Sequence, residues 1–536
     1  MIKGEGERTI ARSHRGMVVC PHAIASAVGA QILQQGGSAV DAAIAVQAAL
    51  GVVYPHMTGL GGDAFWLIYD AQTQQLQGLN GSGRAAQGAT IAAYRDRGLS
   101  AIPPRGPLAA NTVPGAVASW AAAHQRYHRL PWAAVLDPAI ALAQEGYPVT
   151  GSQVYWTRRD RPDFEAHSPT DCPFLPDGAV PEPGTWLTNP DLGRTLATLA
   201  ADGPEAFYHG DLADRICTHL QALGGLLTRE DFARHRADWV TPLTTTYRGK
   251  TLCELPPNSQ GFTVLQAMNV LEGVDLRGLG HGTAAYYHYL IEATKLAFAD
   301  RDRWLSDPDF IDIPIDTLIS KAYGDRQRAR LHPTQAQVIP TGAIGGDTVY
   351  TAAVDRAGNA VSVIQSLYFD FGAAVVIPQT GLVLQNRGSF FSLDPAHANA
   401  LAPGKRPFHT LMPAMVLGDR GRPELVLGTM GGEGQPQTQL ALLTRVLDFG
   451  VDPQRAIDLP RWLWGRTWGA ATTGLTMEGR IPAAVRDQLG GWGHVVTPAP
   501  DWSEQMGHAH LIRIDPATGE YQGGCDPRSD GSAIAL

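Results

Sequence analysis

The chain has 536 residues, of which 44% are hydrophobic and 17% are charged, and its formal net charge is -9. This is the composition of a globular protein and not of a disordered or fibrous one. The small acidic excess argues against a nucleic-acid partner, because such a partner requires clustered lysine and arginine.

The first part of the chain predicts two helices and a buried strand. Apolar residues recur at helical spacing over residues 22–35, and two glycines end that helix. Ser38 and Asp41 form a capping-box pattern that begins a second helix, which we expect to be buried. Its apolar run over residues 42–53 is too short to cross a membrane. Residues 64–69, AFWLIY, predict a strand.

Helical spacing continues in the middle of the chain, at residues 116–127, 132–145 and 284–305. Residues 177–188 predict a loop, because proline and glycine recur there. The polar stretch over residues 321–346, with its arginines and prolines, predicts a long exposed connector.

Two strand candidates follow the connector, at residues 348–354 and 360–366, and a short turn with a glycine joins them as a hairpin. More strand and helix candidates then alternate irregularly. They are strands at residues 381–384, 414–417, 425–427 and 510–514, and helices at residues 437–447 and 482–489. This irregular alternation predicts an α+β fold of packed layers and not a repeated βαβ unit.

The cysteines and the N-terminus indicate a cytoplasmic protein. Five cysteines are spread over the chain without a CxxC pair, which argues against a zinc ribbon or a disulfide framework. The first sixteen residues are polar and lack the apolar segment of a secretory signal. We therefore expect a cytoplasmic location and no membrane partner.

Common metal and nucleotide motifs are missing from the sequence. HExxH, the P-loop pattern and GxSxG do not occur. His508 and His510 form an HxH pair, which histidines at a strand edge explain better than a metal site does. We therefore expect neither a metal ion nor a cofactor.

The junction between the connector and the hairpin is a further candidate site. Thr348 is the first residue of a predicted core strand, and the connector ends just before it. A hydroxyl group at this position could attack the preceding peptide bond, but a threonine at a strand start is also an ordinary β-former. The residues around Thr348 leave both interpretations open.

Motifs along almost the whole chain decide between them. In order they are GGSAVDAAIA (36–45), GLGGDAFWLI (59–68), PPNSQG (256–261), EATKLAFADRDRWLSDPDF (292–310), DTVY with DRAGNAVSV (347–363), KRPFHTLMPAMV (405–416), GTMGG (428–432) and CDPRSDG (525–531). Together they resemble the γ-glutamyltransferase family of N-terminal nucleophile hydrolases. The resemblance implies a four-layer αββα sandwich, in which helices flank two packed sheets.

The resemblance also implies that the chain is an inactive precursor that cuts itself between Asp347 and Thr348. A large chain, residues 1–347, and a small chain, residues 348–536, would then form one intertwined domain as a heterodimer or as a pair of heterodimers. An α-amino group ordinarily has a pKa of about 7.7 to 8.0 and can act as the base for its own hydroxyl, so no cofactor is needed. Thr348 would then attack an amide and form an acyl-enzyme.

Three more residues match catalytic positions of the family. Gly431 and Gly432 match the oxyanion-hole glycines, whose backbone N–H groups stabilise the developing negative charge. Outside this motif the two glycines would indicate an ordinary turn. Ser366 matches a threonine that hydrogen-bonds the nucleophile, and it retains the hydroxyl.

The carboxylate site of the family is partly retained. Arg84 matches the arginine that pairs with the α-carboxylate of the donor, a group that a guanidinium suits well. His409 and Thr410 replace two serines that normally assist it. His409 either contacts the ligand or is a packed core histidine, and the second interpretation is slightly favoured. A substrate with a carboxylate is still expected.

The ammonium site of the family is changed. Tyr368 replaces its asparagine, Phe390 its aspartate and Arg387 its glutamine. A buried ammonium without an anionic partner costs about 3 to 5 kcal/mol, so glutathione should be a poor donor. Arg387 either binds the substrate carboxylate or forms a salt bridge with a surface acid, and the sequence leaves both open.

These replacements favour a small amide donor with a carboxylate and no α-amine. Family members with such replacements resemble the cephalosporin (glutaryl) acylases or the cytoplasmic oxamate amidohydrolases of purine catabolism, and we favour the shorter acyl group. The alternatives are a γ-glutamyltransferase or glutathione hydrolase, and a noncatalytic relative that stays uncut.

Overall fold

The structure is a computed structural model that describes residues 8–170, 172–339, 346–465 and 474–536, with only the backbone of Asp347. Residues 340–345, the end of the connector that the sequence predicts, lie outside the described part. No helix of the described residues is both long and apolar enough to span a bilayer.

Most strands are three to nine residues long. In chain order they are β1 (Ala11–Ser13), β2 (Met17–Cys20), β3 (Asp63–Asp70), β4 (Gln75–Gly81), β5 (Tyr147–Pro148), β6 (Trp186–Leu187), β7 (Asp238–Val240), β8 (Leu243–Tyr247), β9 (Lys250–Glu254), β10 (Asp347–Val354), β11 (Ala360–Tyr368), β12 (Val376–Ile377), β13 (Leu382–Val383), β14 (Ala414–Leu417), β15 (Pro423–Thr429), β16 (Trp462–Trp464), β17 (Leu475–Glu478), β18 (Val496–Ala499), β19 (Ala509–Ile514), β20 (Tyr521–Cys525) and β21 (Ser532–Ala535).

The helices vary more in length. In chain order they are α1 (Ala23–Gln34), α2 (Ala39–Val53), α3 (Ile91–Arg95), α4 (Ala116–Tyr127), α5 (Trp132–Glu145), α6 (Gly151–His167), α7 (Pro190–Asp202), α8 (Ala206–His209), α9 (Asp211–Ala222), α10 (Arg229–Arg234), α11 (Phe262–Leu271), α12 (Leu276–Leu279), α13 (Ala284–Trp304), α14 (Ile315–Leu318), α15 (Lys321–Arg328), α16 (Gln435–Leu447), α17 (Pro453–Asp458) and α18 (Ala483–Gly491).

Two seven-stranded sheets pack face to face. One has the order β1-β20-β19-β15-β14-β9-β8 and the other β21-β2-β10-β11-β3-β4-β7. Apolar side chains such as Phe65, Tyr350 and Val426 fill the space between them. Helices α2 and α4 contact the second sheet, and α5 packs on α2; α11 and α16 contact the first sheet, and α13 packs on both of them. This arrangement confirms the predicted αββα sandwich.

Helix α2 is the buried central helix that the sequence predicts. Ser38 and Asp41 form the capping box, and every residue of the helix is buried. An almost wholly apolar helix can be buried all round because it leaves few polar groups to satisfy. Its one buried amide, on Gln47, donates to Thr351 Oγ1 on β10 at 3.0 Å. Helix α2 therefore supports β10, the strand whose second residue is Thr348.

The prediction of an exposed connector over residues 321–346 is wrong in its first part, because residues 321–328 are helix α15. The side chain of Ser320 caps this helix by accepting a hydrogen bond from the N–H of Tyr323. Gly324 packs so closely on Asn269 of α11 that a Cβ there would lie 2.8 Å from the Asn269 Cβ. The contact with α11 stabilises a segment whose own sequence is polar, which is a tertiary effect that local composition does not reveal.

Strands from the two sides of Thr348 alternate in the second sheet. Strand β2 precedes Thr348 in sequence, yet it lies between β21 and β10, which both follow residue 346. Strand β3 likewise pairs with β11. The residues before and after Thr348 thus share one continuous set of backbone hydrogen bonds.

Candidate active site

Thr348 lies at the beginning of β10 and is fully buried. The regular pairing of β10 with β11 is interrupted at this point, so that Thr348 lies opposite two residues of β11, Ser366 and Leu367. Such a bulge locally disrupts the hydrogen bonds of the ladder and re-aims the side chains near it, and bulges are frequent beside active sites. Ser366, which the resemblance matches to the residue that hydrogen-bonds the nucleophile, is thus opposite Thr348 in the hairpin.

The end of β11 holds the residues that precede Thr348. Ser366 Oγ accepts a hydrogen bond of 2.7 Å from the N–H of Tyr368. Tyr368 has a φ of 87°, in the left-handed region that side chains other than glycine rarely adopt. Its backbone pairs with Asp347, and its ring lies against Gly346, where a Cβ would be only 2.4 Å away. The peptide bond before Thr348 is therefore tightly enclosed.

Gly431 and Gly432 lie in the loop between β15 and α16. Their φ angles are 128° and 52°, which glycine adopts without a steric penalty. A 3-10 turn, Gly432–Gly434, continues directly into α16, so their N–H groups lie at a helix N-terminus, which attracts negative charge. The ring of Tyr350 on β10 packs on Gly428 of β15, the strand that leads into this loop.

Three residues that the sequence analysis did not single out support Gly432. Gln260 donates from Nε2 to the carbonyls of Gly432 at 3.1 Å and Thr410 at 2.8 Å. Its Oε1 accepts a hydrogen bond of 3.1 Å from Arg301, which also forms an ion pair with Glu433 at 3.1 Å. Gln260 and Arg301 lie inside two of the family motifs, and only this position in the motifs could have identified them from the sequence.

Arg387 is buried with its guanidinium group on the ring of Tyr368. The guanidinium carbon lies 3.9 Å from the centroid of that ring, and Nη2 donates to Thr410 Oγ1 at 3.1 Å. Burial lowers the pKa of Arg387 to about 10, so the group remains charged at neutral pH. Arg387 is 1% exposed and makes no salt bridge within the described residues, which removes the surface salt bridge as its explanation.

Phe390 forms an aromatic wall next to Arg387. Its ring meets those of Tyr368 and Phe408 edge to face, with centroids 5.4 and 4.6 Å away. A cavity of about 280 Å³ lies beside these rings and is also lined by Glu433. Glu433 directly follows Gly432 in the chain, and the cavity has room for a small ligand.

His409 is held by Asp63, a residue that the sequence analysis did not single out. With a proton on Nε2, the ring donates to Asp63 Oδ2 at 3.1 Å. Burial lowers the pKa of His409 well below its usual range and raises that of Asp63 to about 6. Asp63 also accepts hydrogen bonds from the N–H groups of Gly83 and Gly115 and from Gln385. These contacts favour a packed core histidine over a ligand contact.

Arg84 is already surrounded by carboxylates of the protein. Its side chain is 35% exposed and lies 2.9 Å from Asp309, 3.4 Å from Asp307 and 3.8 Å from Asp238. It also donates to the carbonyl of Gly404 at 3.2 Å. The expectation that Arg84 pairs with the substrate carboxylate stays a prediction.

One group of potential metal ligands occurs in the described residues, and it does not include the HxH pair. Ligand atoms of His288, Glu292 and His494 lie within 4.8 Å of one another. The two histidines are hydrogen-bonded to each other at 2.8 Å, and Lys295 binds Glu292 at 2.7 Å. These atoms therefore already have partners in the protein, and the absence of a metal requirement stays a prediction.

The arrangement suits attack on an amide carbonyl. Thr348, a hydroxyl residue, lies near the start of a central strand, and Gly431 and Gly432 directly precede the N-terminus of α16, where backbone N–H groups can stabilise an oxyanion. Two sheets packed face to face between helices carry both parts. Fold and site together define the class of N-terminal nucleophile hydrolases.

Comparisons with known proteins specify the family. The family model described as gamma-glutamyltranspeptidase matches residues 25–536. The glutathione hydrolase-like YwrD proenzyme of Bacillus subtilis is 48% identical over 520 residues, which cover 97% of this chain and 98% of the relative. The oxamate amidohydrolase proenzyme of Klebsiella pneumoniae is 43% identical over 527 residues, with coverages of 97% and 98%.

A solved structure agrees with these relatives. The crystal structure of cephalosporin acylase from Bacillus halodurans superimposes with a TM-score of 0.93 at 37% identity, covering 100% of this chain and 99% of that one. The chain belongs to the gamma-glutamyltranspeptidase family. The predicted family and the prediction of a hydrolase are confirmed.

Proposed function

We propose that the chain is a self-processing N-terminal threonine amidohydrolase. Cleavage between Asp347 and Thr348 gives a large chain, residues 1–347, and a small chain, residues 348–536, which stay together as a heterodimer. The position of Thr348 at the bulge of the hairpin, opposite Ser366 and Leu367, supports this cleavage site.

The reaction then needs only groups of the protein and water. The α-amino group of Thr348 takes the proton of the hydroxyl, whose oxygen attacks the amide carbonyl of the donor. The N–H groups of Gly431 and Gly432 stabilise the oxyanion. The amine leaves with the proton and an ester forms on Thr348. Water then breaks that ester, releasing the carboxylic acid and restoring the hydroxyl.

The donor is a small amide with a carboxylate and no α-amine. Oxamate is the example that we favour, and a glutaryl amide is the longer alternative. The observation that carries this proposal is the buried guanidinium of Arg387 on the ring of Tyr368. An α-ammonium placed at this position would meet a cation and the ring of Phe390 in place of a carboxylate. The name of the Klebsiella relative agrees with a small donor.

Hydrolysis of γ-glutamyl amides is the second candidate. The name of the Bacillus subtilis relative, glutathione hydrolase-like, favours it. A cytoplasmic location and a pair of heterodimers remain the other expectations from the sequence.

Cleavage is tested on the purified protein by a denaturing gel, intact mass and N-terminal sequencing of the smaller fragment. We expect two fragments, the smaller one beginning at Thr348. Thr348→Ala should stay uncut because the attacking hydroxyl is gone, whereas Thr348→Ser, the matched control, should still be cut. A single active polypeptide would contradict the proposal, and a single inactive one would indicate the noncatalytic relative.

The donor class is tested by comparing turnover of oxamate, a glutaryl amide and a γ-glutamyl amide. We expect one of the first two to give the highest kcat/KM. If the γ-glutamyl amide is better by about tenfold, equivalent to about 1.4 kcal/mol, the inference from Arg387 and Phe390 is wrong.

A further inference from the structure

Arg387 has hydrogen-bond donors that the protein leaves unused. One nitrogen, Nη2, bonds to Thr410 Oγ1 at 3.1 Å, whereas Nε and Nη1 are buried and have no hydrogen-bond partner among the described residues. Buried guanidinium groups are normally paired, because a charged donor that has lost both water and an acceptor is costly. The free edge of Arg387 therefore matches an anionic acceptor that the protein itself does not supply.

The charge of Arg387 is also uncompensated at close range. No carboxylate oxygen of the described residues lies within 4 Å of it. Asp63 contributes a more distant negative charge, but its oxygens already accept hydrogen bonds from His409 and Gln385. The face of the guanidinium rests on Tyr368, and the unpartnered Nε and Nη1 lie on its edge. That edge is the part of an arginine that binds a carboxylate with two parallel hydrogen bonds.

Arg84, unlike Arg387, is paired with carboxylates of the protein. Three carboxylates of the protein, on Asp238, Asp307 and Asp309, lie within 3.8 Å of it. Arg406 pairs with the same Asp238 at 2.7 Å. Arg84 thus belongs to an ion-pair network of the protein, and a donor carboxylate placed there would meet like charges.

We infer that Arg387, and not Arg84, binds the carboxylate of the donor and determines the specificity of the site. This inference rests on the proposed amidohydrolase function. Tyr368, which supports the guanidinium, pairs with the residue just before Thr348. The carboxylate is consequently held close to the nucleophile, and the substrate class is an amide whose carbonyl is attached directly, or through a very short chain, to a carboxylate.

The inference is tested with two substrates that differ only in charge. Oxamate carries a carboxylate, and oxamide has a neutral carboxamide in its place. Steady-state kcat and KM are measured for both on the processed wild type, Arg387→Met, Arg387→Lys and Arg84→Met, and a denaturing gel reports the processed fraction of each. Arg387→Gln serves in place of Arg387→Met if that variant is not processed, since it keeps a donor for Thr410 and loses only the charge.

We expect Arg387→Met to raise the KM for oxamate about 100-fold and to leave that for oxamide within about twofold. Arg387→Lys should recover part of the loss, because the charge returns without the two-pronged edge. Arg84→Met should change both substrates alike and so preserve the preference for oxamate.

Two results would overturn the assignment. One is an unchanged preference for oxamate in the Arg387 variants, and the other is its loss in Arg84→Met. Both leave oxamate hydrolysis by the wild type intact, so they refute this inference without touching the proposed function. A wild type that hydrolyses only γ-glutamyl amides would instead refute the proposed donor class and this assignment with it.

Discussion

Gly346 has no room for a side chain, and we expect Gly346→Ala to slow self-cleavage. A Cβ at this position would lie 2.4 Å from Cδ2 of Tyr368, whereas ordinary contacts begin near 3.4 Å. The ring of Tyr368 is fixed because it is fully buried between Arg387, 3.9 Å away, and Phe369, 4.5 Å away. The backbone next to Thr348 must therefore shift by about 1 Å, a displacement that typically costs about 100-fold in rate.

The assay is a time course of precursor and fragments on a denaturing gel, with activity expressed per cleaved chain. We expect slow cleavage but normal activity of the molecules that have been cut, since Gly346 takes no part in the mature reaction. Gly490→Ala, in α18, is the control, because a Cβ there meets nothing within 4 Å and the φ of Gly490 is not in the left-handed region. Cleavage of Gly346→Ala at the wild-type rate, or equal slowing in the control, would refute the reasoning.

Two further results are expected. Gly431→Ala should lower kcat by about 100-fold or more, because a side chain at a φ of 128° forces the loop and its N–H away from the oxyanion. Gly450→Ala is the control, since Gly450 has a φ of 66° and open space around it, and this variant should leave kcat unchanged. Equal losses of kcat in the two variants would contradict the prediction. Burial raises the pKa of Glu254 well above its usual range, so the folded protein holds a proton that the unfolded chain releases, and wild-type stability falls as pH rises above the unfolded pKa of about 4.3. Glu254→Gln has no such carboxyl and does not lose stability in this way. In thermal unfolding between pH 5 and 7, the stability of Glu254→Gln relative to the wild type should increase by up to about 1.4 kcal/mol per pH unit. A difference that does not change with pH would show that the carboxyl of Glu254 is ionised in the folded protein.

The sequence predicted those parts of the fold that depend on neighbours along the chain. The capping box at Ser38 and the apolar spacing of α4 and α5 are local signals, and the helices begin and end where these signals place them. Helix α6 was not predicted, because its sequence is polar and contains Pro162. It is defined by tertiary contacts, such as that of Phe164 with Phe371, which no local pattern contains.

The candidate site divides in the same way. Thr348, Gly431 and Gly432 were assigned from motifs whose order along the chain is specific. The hydrogen bond of His409 to Asp63 joins residues 346 positions apart, and nothing near either residue in sequence announces it. Whether an arginine is paired depends on what lies around it in three dimensions. The sequence therefore left two roles open for Arg387, substrate binding and a surface salt bridge, whereas its surroundings in the structure leave only the first.

The alternation of strands in the second sheet affects how the cleaved enzyme can refold after denaturation. Before the proposed cut, β2 and β10 find each other within one covalent chain, as a unimolecular search. After it, two denatured polypeptides would have to meet in solution, so renaturation becomes second order and competes with aggregation. The precursor could refold after denaturation, whereas the lifetime of the cleaved enzyme would depend on how slowly it unfolds.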